Sequence, residues 1–255
     1  MNILVLLRSV LDPAGFTVNR KAQKVFVNRQ RFIVNPADRN ALEAALALGG
    51  AQDTVTVAAL GGPAAGQTAG QALQMARAMG AQRAVCVEAT AGLDAVGVTR
   101  VLQALVAHLG GVDLVLMGGE VLDSDMAQVA ARLAAALDWQ FVEGARQASA
   151  QPGGLGLVVA EDGGYRLFGA ELPAVASVAR DCNQPRFAPA MAIMQVFTDA
   201  AAVETITLAD LALDLADLAP VTVARGESFP PERTLGRLAE ADDAIRQIAD
   251  MLRQR

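Results

Sequence analysis

The sequence predicts a three-layer α/β fold: a doubly wound, mostly parallel sheet with helices on both faces, followed by a C-terminal arm. Three observations carry that prediction. Up to about residue 137, short β-rich runs alternate with longer Ala- and Leu-rich helical stretches, the signature of βαβ units. The short runs are apolar throughout instead of alternating with polar residues, as expected of strands covered on both faces. Finally, 53% of the 255 residues are hydrophobic, enough for a chain of this length to bury roughly 70–75% of its unfolded surface.

The first strand is Ile3–Leu7. Its apolar run ends at Arg8 and has neither a basic leader nor a small-residue cleavage site, so it reads as a buried strand and not as a secretion signal. Val25–Val27 and Arg31–Val34 suggest a small hairpin, with one solvated face implied by their mixed apolar and charged residues. Asn35-Pro36-Ala37-Asp38 supplies a capping side chain, a proline at the first helical position and an acid in the first turn. A helix therefore runs from there to about Leu48, where Gly49-Gly50 stops it. Thr54–Leu60 is the next strand, and a helix over residues 65–79 ends at Gly80, a residue suited to a left-handed cap. Ala84–Val87, a helix from Asp94 to Leu109, Leu114–Met117 and a helix from Ala127 to Leu137 complete the alternation.

After Leu137 the pattern changes. Pro152-Gly153-Gly154 and Asp162-Gly163-Gly164 bracket two strands, Leu157–Ala160 and Tyr165–Phe168, in a hairpin-like unit. Ala174–Val178 is a further buried strand. From about Gln195 the sequence reads as a connector leading to a helix over residues 234–252, with Leu235, Leu238, Ile245, Ile248 and Leu252 along one face.

Several kinds of chemistry are excluded. His108 is the single histidine, which rules out His-ligated metal clusters and Ser/His or Cys/His catalytic pairs. Cys86 and Cys182 are the two cysteines and have no second thiol near in sequence, which suits a reducing compartment, read here as the cytoplasm. A net charge of -6 with scattered basic residues offers no stripe for nucleic acid. No apolar run approaches the roughly 18 residues needed to span a bilayer. There is no P-loop and no nucleophile elbow, and Arg8-Ser9-Val10-Leu11-Asp12 follows the first strand where a GxGxxG turn would belong.

What remains is the rule that doubly wound sheets bind ligands beyond the carboxyl ends of their strands, at the switch point. The strand ends concerned are Leu6–Arg8, Leu60-Gly61-Gly62 and Met117-Gly118-Gly119. The glycines of the last let the backbone approach a ligand closely. Asp123-Ser124-Asp125 then leads into an Ala-rich helix whose dipole suits a phosphate.

Six segments, in order along the chain, resemble the beta subunit of electron transfer flavoproteins. They are Asn35-Pro36-Ala37-Asp38-Arg39-Asn40-Ala41-Leu42-Glu43-Ala44-Ala45, Ala78-Met79-Gly80-Ala81-Gln82-Arg83-Ala84, Asp113-Leu114-Val115-Leu116-Met117-Gly118, Leu172-Pro173-Ala174-Val175, Asn183-Gln184-Pro185-Arg186-Phe187 with Ile193-Met194, and Ala209-Asp210-Leu211-Ala212-Leu213-Asp214. The resemblance implies a Rossmann-like, adenine-nucleotide-binding domain over residues 1–194. It also implies that residues 195–255 form a connector and helix packing on an alpha subunit. That alpha partner would hold the redox FAD, while this chain binds AMP or a second FAD. The chain is then an electron carrier and not an enzyme, helping to pass electrons from a flavin dehydrogenase or NADH to a membrane quinone reductase or another acceptor. The alternative is a nucleotide-binding structural or sensing subunit without an electron-transfer role.

Carried over position by position, the nucleotide site comprises Leu6, Asn35, Pro36, Ala37, Asp38, Leu60, Gly118, Gly119, Glu120, Val121, Leu122, Asp123, Ser124, Asp125 and Met126. Dehydrogenase docking falls near Asn183–Met194. Three departures from the family pattern stand out. Met126 replaces a threonine, Gly119-Glu120 replaces a basic residue and glutamine, and Ala190 replaces a leucine that anchors a partner, with Met191 beside it as an adaptable apolar anchor. The second departure leaves the choice between AMP and FAD open.

Overall fold

The computed structural model describes residues 1–50, 52–61, 66–89, 92–122, 124, 126–199, 203–222, 225, 229 and 240–253. In chain order the elements are β1 (Asn2–Leu6), β2 (Ser9–Leu11), β3 (Phe16–Asn19), β4 (Lys24–Val27), β5 (Phe32–Val34), α1 (Pro36–Leu48), β6 (Thr54–Gly61), α2 (Gly66–Met79), β7 (Arg83–Glu88), α3 (Ala95–Leu109), β8 (Leu114–Gly118), α4 (Val129–Leu137), β9 (Gln140–Gln151), β10 (Gly154–Glu161), β11 (Gly164–Glu171), β12 (Ala174–Val178), α5 (Ala190–Thr198), β13 (Glu204–Thr207) and α6 (Ala241–Arg253). The chain divides into two units: Met1–Thr17 with Val25–Val223, and Val18–Lys24 with Ala224–Arg255. Among the described residues no helix is long and apolar enough to cross a membrane.

Successive side chains of a strand point to opposite faces, and the first unit uses that alternation to build a core on each side of one sheet. Ile3, Val5 and Leu7 join Ala41 and Leu42 of α1 and Leu73 of α2, whereas Leu4 and Leu6 join Leu102 and Leu105 of α3 and Leu133 of α4. This is why the first strand carries no polar residue between Ile3 and Leu7. Each fully buried leucine contributes roughly 1.5–3 kcal/mol of hydrophobic transfer, and both faces supply several.

The sheet has nine strands in the order β11-β10-β9-β12-β8-β1-β6-β7-β13. From β9 to β13 every neighbouring pair is parallel, while β10 and β11 add an antiparallel extension at one edge. The expected strands and helices of the alternating region are present. α1 starts with Pro36 at its first position and ends where the Gly49 N–H donates to Ala45 O. Gly80 follows α2 with a φ of 124°, the positive region that favours glycine.

Four local features differ from expectation. Val25–Val27 does not pair with Arg31–Val34: β5 pairs with β2, Val10 opposite Ile33, and β4 pairs with β3. Three-residue β2 is too short to show a period, and its pairing is decided by Val10, which is buried. A 3₁₀ turn, Met126–Gln128, precedes α4. β9 runs twelve residues with Gly144 at a φ of 67° inside it, and a glycine-interrupted, polar-rich run of that kind conceals a strand from a periodicity search. β13 and the last turn of α5 fall in the stretch from about Gln195 that reads as connector, and the sequence marks no helix at Ala190, because neither element carries a buried face of its own: α5 has no buried residue, and Ile206 is the one buried position of β13.

Candidate functional site

The chain lays down β1, then β6 and β7 on one side of it, and returns to place β8 on the other. Loops leaving β1 and β8 therefore diverge, and the gap between them is the switch-point crevice of a doubly wound sheet. A cavity of about 200 Å³ opens there. Leu6 and Arg8 reach it from the end of β1, Ala58 and Leu60 from β6, and Met117 from β8. Val98 and Leu102, one turn apart on α3, close a further wall, and Val121, Ser124 and Met126 come from the segment after β8. The walls are mostly apolar, with Arg8, Ser9 and Ser124 as polar lining.

Behind this cavity the start of α1 is tied to both strand ends. Asp38 is fully buried. Its Oδ2 accepts from the Arg8 backbone N–H at 2.8 Å and from Arg8 Nε at 2.9 Å, and its Oδ1 accepts from the Gly118 N–H at 2.9 Å and from Arg8 Nη2. Arg8 Nη2 also donates to Gly118 O at 2.7 Å. A buried ionised carboxylate is tolerated when it is paired and hydrogen-bonded, and Asp38 has both.

Asn35, also buried, occupies the N-cap position of α1 without a capping side-chain bond. Its Nδ2 instead donates to Glu120 O at 2.7 Å, and its backbone N–H donates to Arg8 O at 2.9 Å. The residue chosen from sequence as a cap thus ties helix to loop, because tertiary partners lie within reach. Gly118 is required by close approach: a Cβ there would lie 2.5 Å from Asp38 Oδ1 and 2.6 Å from the Ala37 carbonyl carbon and Cβ.

The helix starts bordering the cavity differ. Asp94 caps α3, accepting from the Val96 and Gly97 N–H groups, and also from the Val221 and Thr222 N–H groups and the Thr222 hydroxyl. The Gly97 amide first, then the Thr222 hydroxyl, hold this carboxyl well below the usual carboxylate range. The positive end of α3 is therefore occupied by its own carboxylate. α4 continues from the 3₁₀ turn Met126–Gln128, and Met126 lines the cavity, so the positive end of that helical segment lies at the cavity's edge.

Of the fifteen residues proposed from sequence, Leu6, Leu60, Val121, Ser124 and Met126 line the cavity. Ala37, Asp38 and Gly118 pack against one another behind it, and Asn35 ties the start of α1 to Glu120 O. Pro36 lines a separate cleft of about 400 Å³ with Arg31 and Arg39. Gly119, whose N–H donates to Val178 O, Glu120 and Leu122 lie on the segment after β8 without lining the cavity. Asp123 and Asp125 lie outside the described residues. Sequence reasoning did not select Ala58, Val98, Leu102 or the side chain of Arg8. The first three pack into the core as well as lining the cavity, and the i, i+4 spacing of Val98 and Leu102 is the one sequence signal of a shared face.

A family model described as an electron transfer flavoprotein domain matches residues 23–211. The chain is 30% identical over 258 residues to the human electron transfer flavoprotein subunit beta, covering 98% of each chain. It is 27% identical over 267 residues to the electron transfer flavoprotein subunit beta of Thermoanaerobacterium thermosaccharolyticum, covering 100% of this chain and 99% of the relative. The subunit of the same name from Megasphaera elsdenii is 28% identical over 271 residues, covering 100% and 97%.

Proposed function

The chain belongs to the electron transfer flavoprotein family, as a beta subunit, and from that premise we propose that it binds AMP in the switch-point cavity and works beside a flavin-carrying alpha subunit. The observation that carries the nucleotide reading is the cavity itself. Its walls, Leu6, Leu60, Val98, Leu102 and Met117, suit a flat heteroaromatic base, and its polar groups, Arg8 and Ser124, suit the ribose and phosphate. The N-terminal end of the helical segment formed by the 3₁₀ turn and α4 begins at Met126, beside Ser124 on the cavity wall, where the helix dipole favours a phosphate.

The flavin, when bound to the partner, supplies the electron chemistry; this chain contributes positioning. Electrons would pass from a flavin dehydrogenase or NADH to a quinone reductase or another acceptor, and this chain carries no reacting group of its own. Docking of the electron donor is assigned to the region of Asn183–Met194, where Phe187, Met191 and Met194 are exposed. The alpha subunit is assigned to α6, an amphipathic helix with Ile245, Ile248 and Leu252 exposed on one face. Free Cys86 and Cys182 suit a reducing compartment such as the cytoplasm.

The test is to purify the chain with its partner, denature the complex, and identify the released nucleotides by absorbance and mass. One AMP and one FAD per heterodimer is the expected result. Two FADs would replace AMP by a second flavin, and no nucleotide from this subunit would leave a structural or sensing role.

A further inference from the structure

The four donors to Asp38, three from Arg8 and one from Gly118, fill the acceptor capacity of a carboxylate. Asp38 has nothing left to offer a ribose or a phosphate. Arg8 is in the opposite position. Its Nε and Nη2 are committed to Asp38 and to Gly118 O, while about a fifth of its side-chain surface, 21%, stays open. The guanidinium carries five N–H donors in a rigid fork, and among the described residues Nη1 has no partner. Arg8 is also the one charged side chain lining the cavity among those residues, in a chain of net charge -6.

We propose that Arg8 is the side chain through which the cavity recognises the phosphate of its nucleotide, and that Asp38 is the positioning residue that aims it. This rests on the nucleotide reading of the cavity given above. Asp38 and Gly118 O fix one edge of the fork, so the orientation of the other edge is set before a ligand arrives and little side-chain freedom is lost on binding. Because Asp38 balances the charge of Arg8, recognition acts through short charge-assisted hydrogen bonds rather than through a long-range field. The two residues, thirty positions apart, meet because α1 starts beside the ends of β1 and β8.

The experiment is calorimetric titration of the full chain, stripped of nucleotide, with AMP and with adenosine. The parent, Arg8→Met, Arg8→Lys and Asp38→Asn are compared, each first checked for native circular dichroism. The parent is expected to prefer AMP. Arg8→Met should lose on the order of tenfold to a hundredfold in AMP affinity, the range of one or two charge-assisted bonds, with adenosine affinity within about twofold. Arg8→Lys keeps the charge beside Asp38 but not the fork, and should recover part of the AMP affinity. Asp38→Asn should lower the ratio of AMP to adenosine affinity.

Equal weakening of both ligands, or of neither, in Arg8→Met and Arg8→Lys would reduce the Arg8–Asp38 pair to a structural clip and overturn the proposal. Should Arg8→Met fail to fold, Arg8→Lys alone decides by the ratio of AMP to adenosine affinity. A parent that binds neither ligand would overturn the nucleotide reading and this inference together, whereas a parent that binds AMP and adenosine equally would overturn this inference alone.

Discussion

Gly118 ends β8 with no room for a side chain, since a Cβ would sit 2.5 Å from Asp38 Oδ1 and 2.6 Å from Ala37. The carboxylate is pinned by four donors and Ala37 is helix backbone, so neither neighbour yields at low cost. Gly118→Ala is therefore expected to destabilise the fold by about 1–3 kcal/mol, the usual penalty of overpacking, and urea denaturation measures it. Asp94 governs a second residue-scale effect. Its folded pKa lies below the ordinary value of 3.8, so its stabilisation is fully present above that value and is lost as pH falls through the folded one. The stability difference between the parent and Asp94→Ala should thus stay constant from neutral pH down to about 5 and close only under strongly acidic conditions below about 4. A gap that closes already near neutral pH would contradict this assignment.

At the scale of elements, the first unit takes in residues as far as Val223, and the Asp94 bonds to the Val221 and Thr222 N–H groups fasten that last stretch to the start of α3. α6 belongs to the second unit and leaves Ile245, Ile248, Met251 and Leu252 between 58% and 69% exposed. An amphipathic helix this short is marginal unless its apolar face is covered. Truncation after Thr222 is accordingly expected to leave the unfolding free energy of the main unit within about 0.5 kcal/mol of the parent. The same truncation should weaken association with the alpha subunit, read as a later elution of the mixture on a sizing column. Undiminished co-elution of the truncated chain with the alpha subunit would remove α6 from the interface.

At the scale of the whole molecule, the sequence by itself determined the βαβ alternation, the helix boundaries at Pro36 and Gly49, the helix beginning at Asp94 and the strand ends beside which a cavity opens. Those features depend on local chemistry: apolar runs buried on two faces, capping side chains and glycine at a positive φ. Leu6, Leu60, Val121, Ser124 and Met126 were legible for the same reason, since the carboxyl ends of parallel strands and the loops leaving them can be located without knowing the packing. The tertiary structure alone decided the rest. It paired β2 with β5, found β9 around Gly144, and made Val98 and Leu102, which pack into the core on one face of the sheet, part of a cavity wall as well. Most of all, it turned Asn35 and Asp38 from an expected cap and first-turn acid into a clamp on two strand ends. A carboxylate or an amide takes whichever donors or acceptors packing brings within about 3 Å, and residues 8, 38 and 118 come that close only once β1, α1 and β8 have been laid side by side.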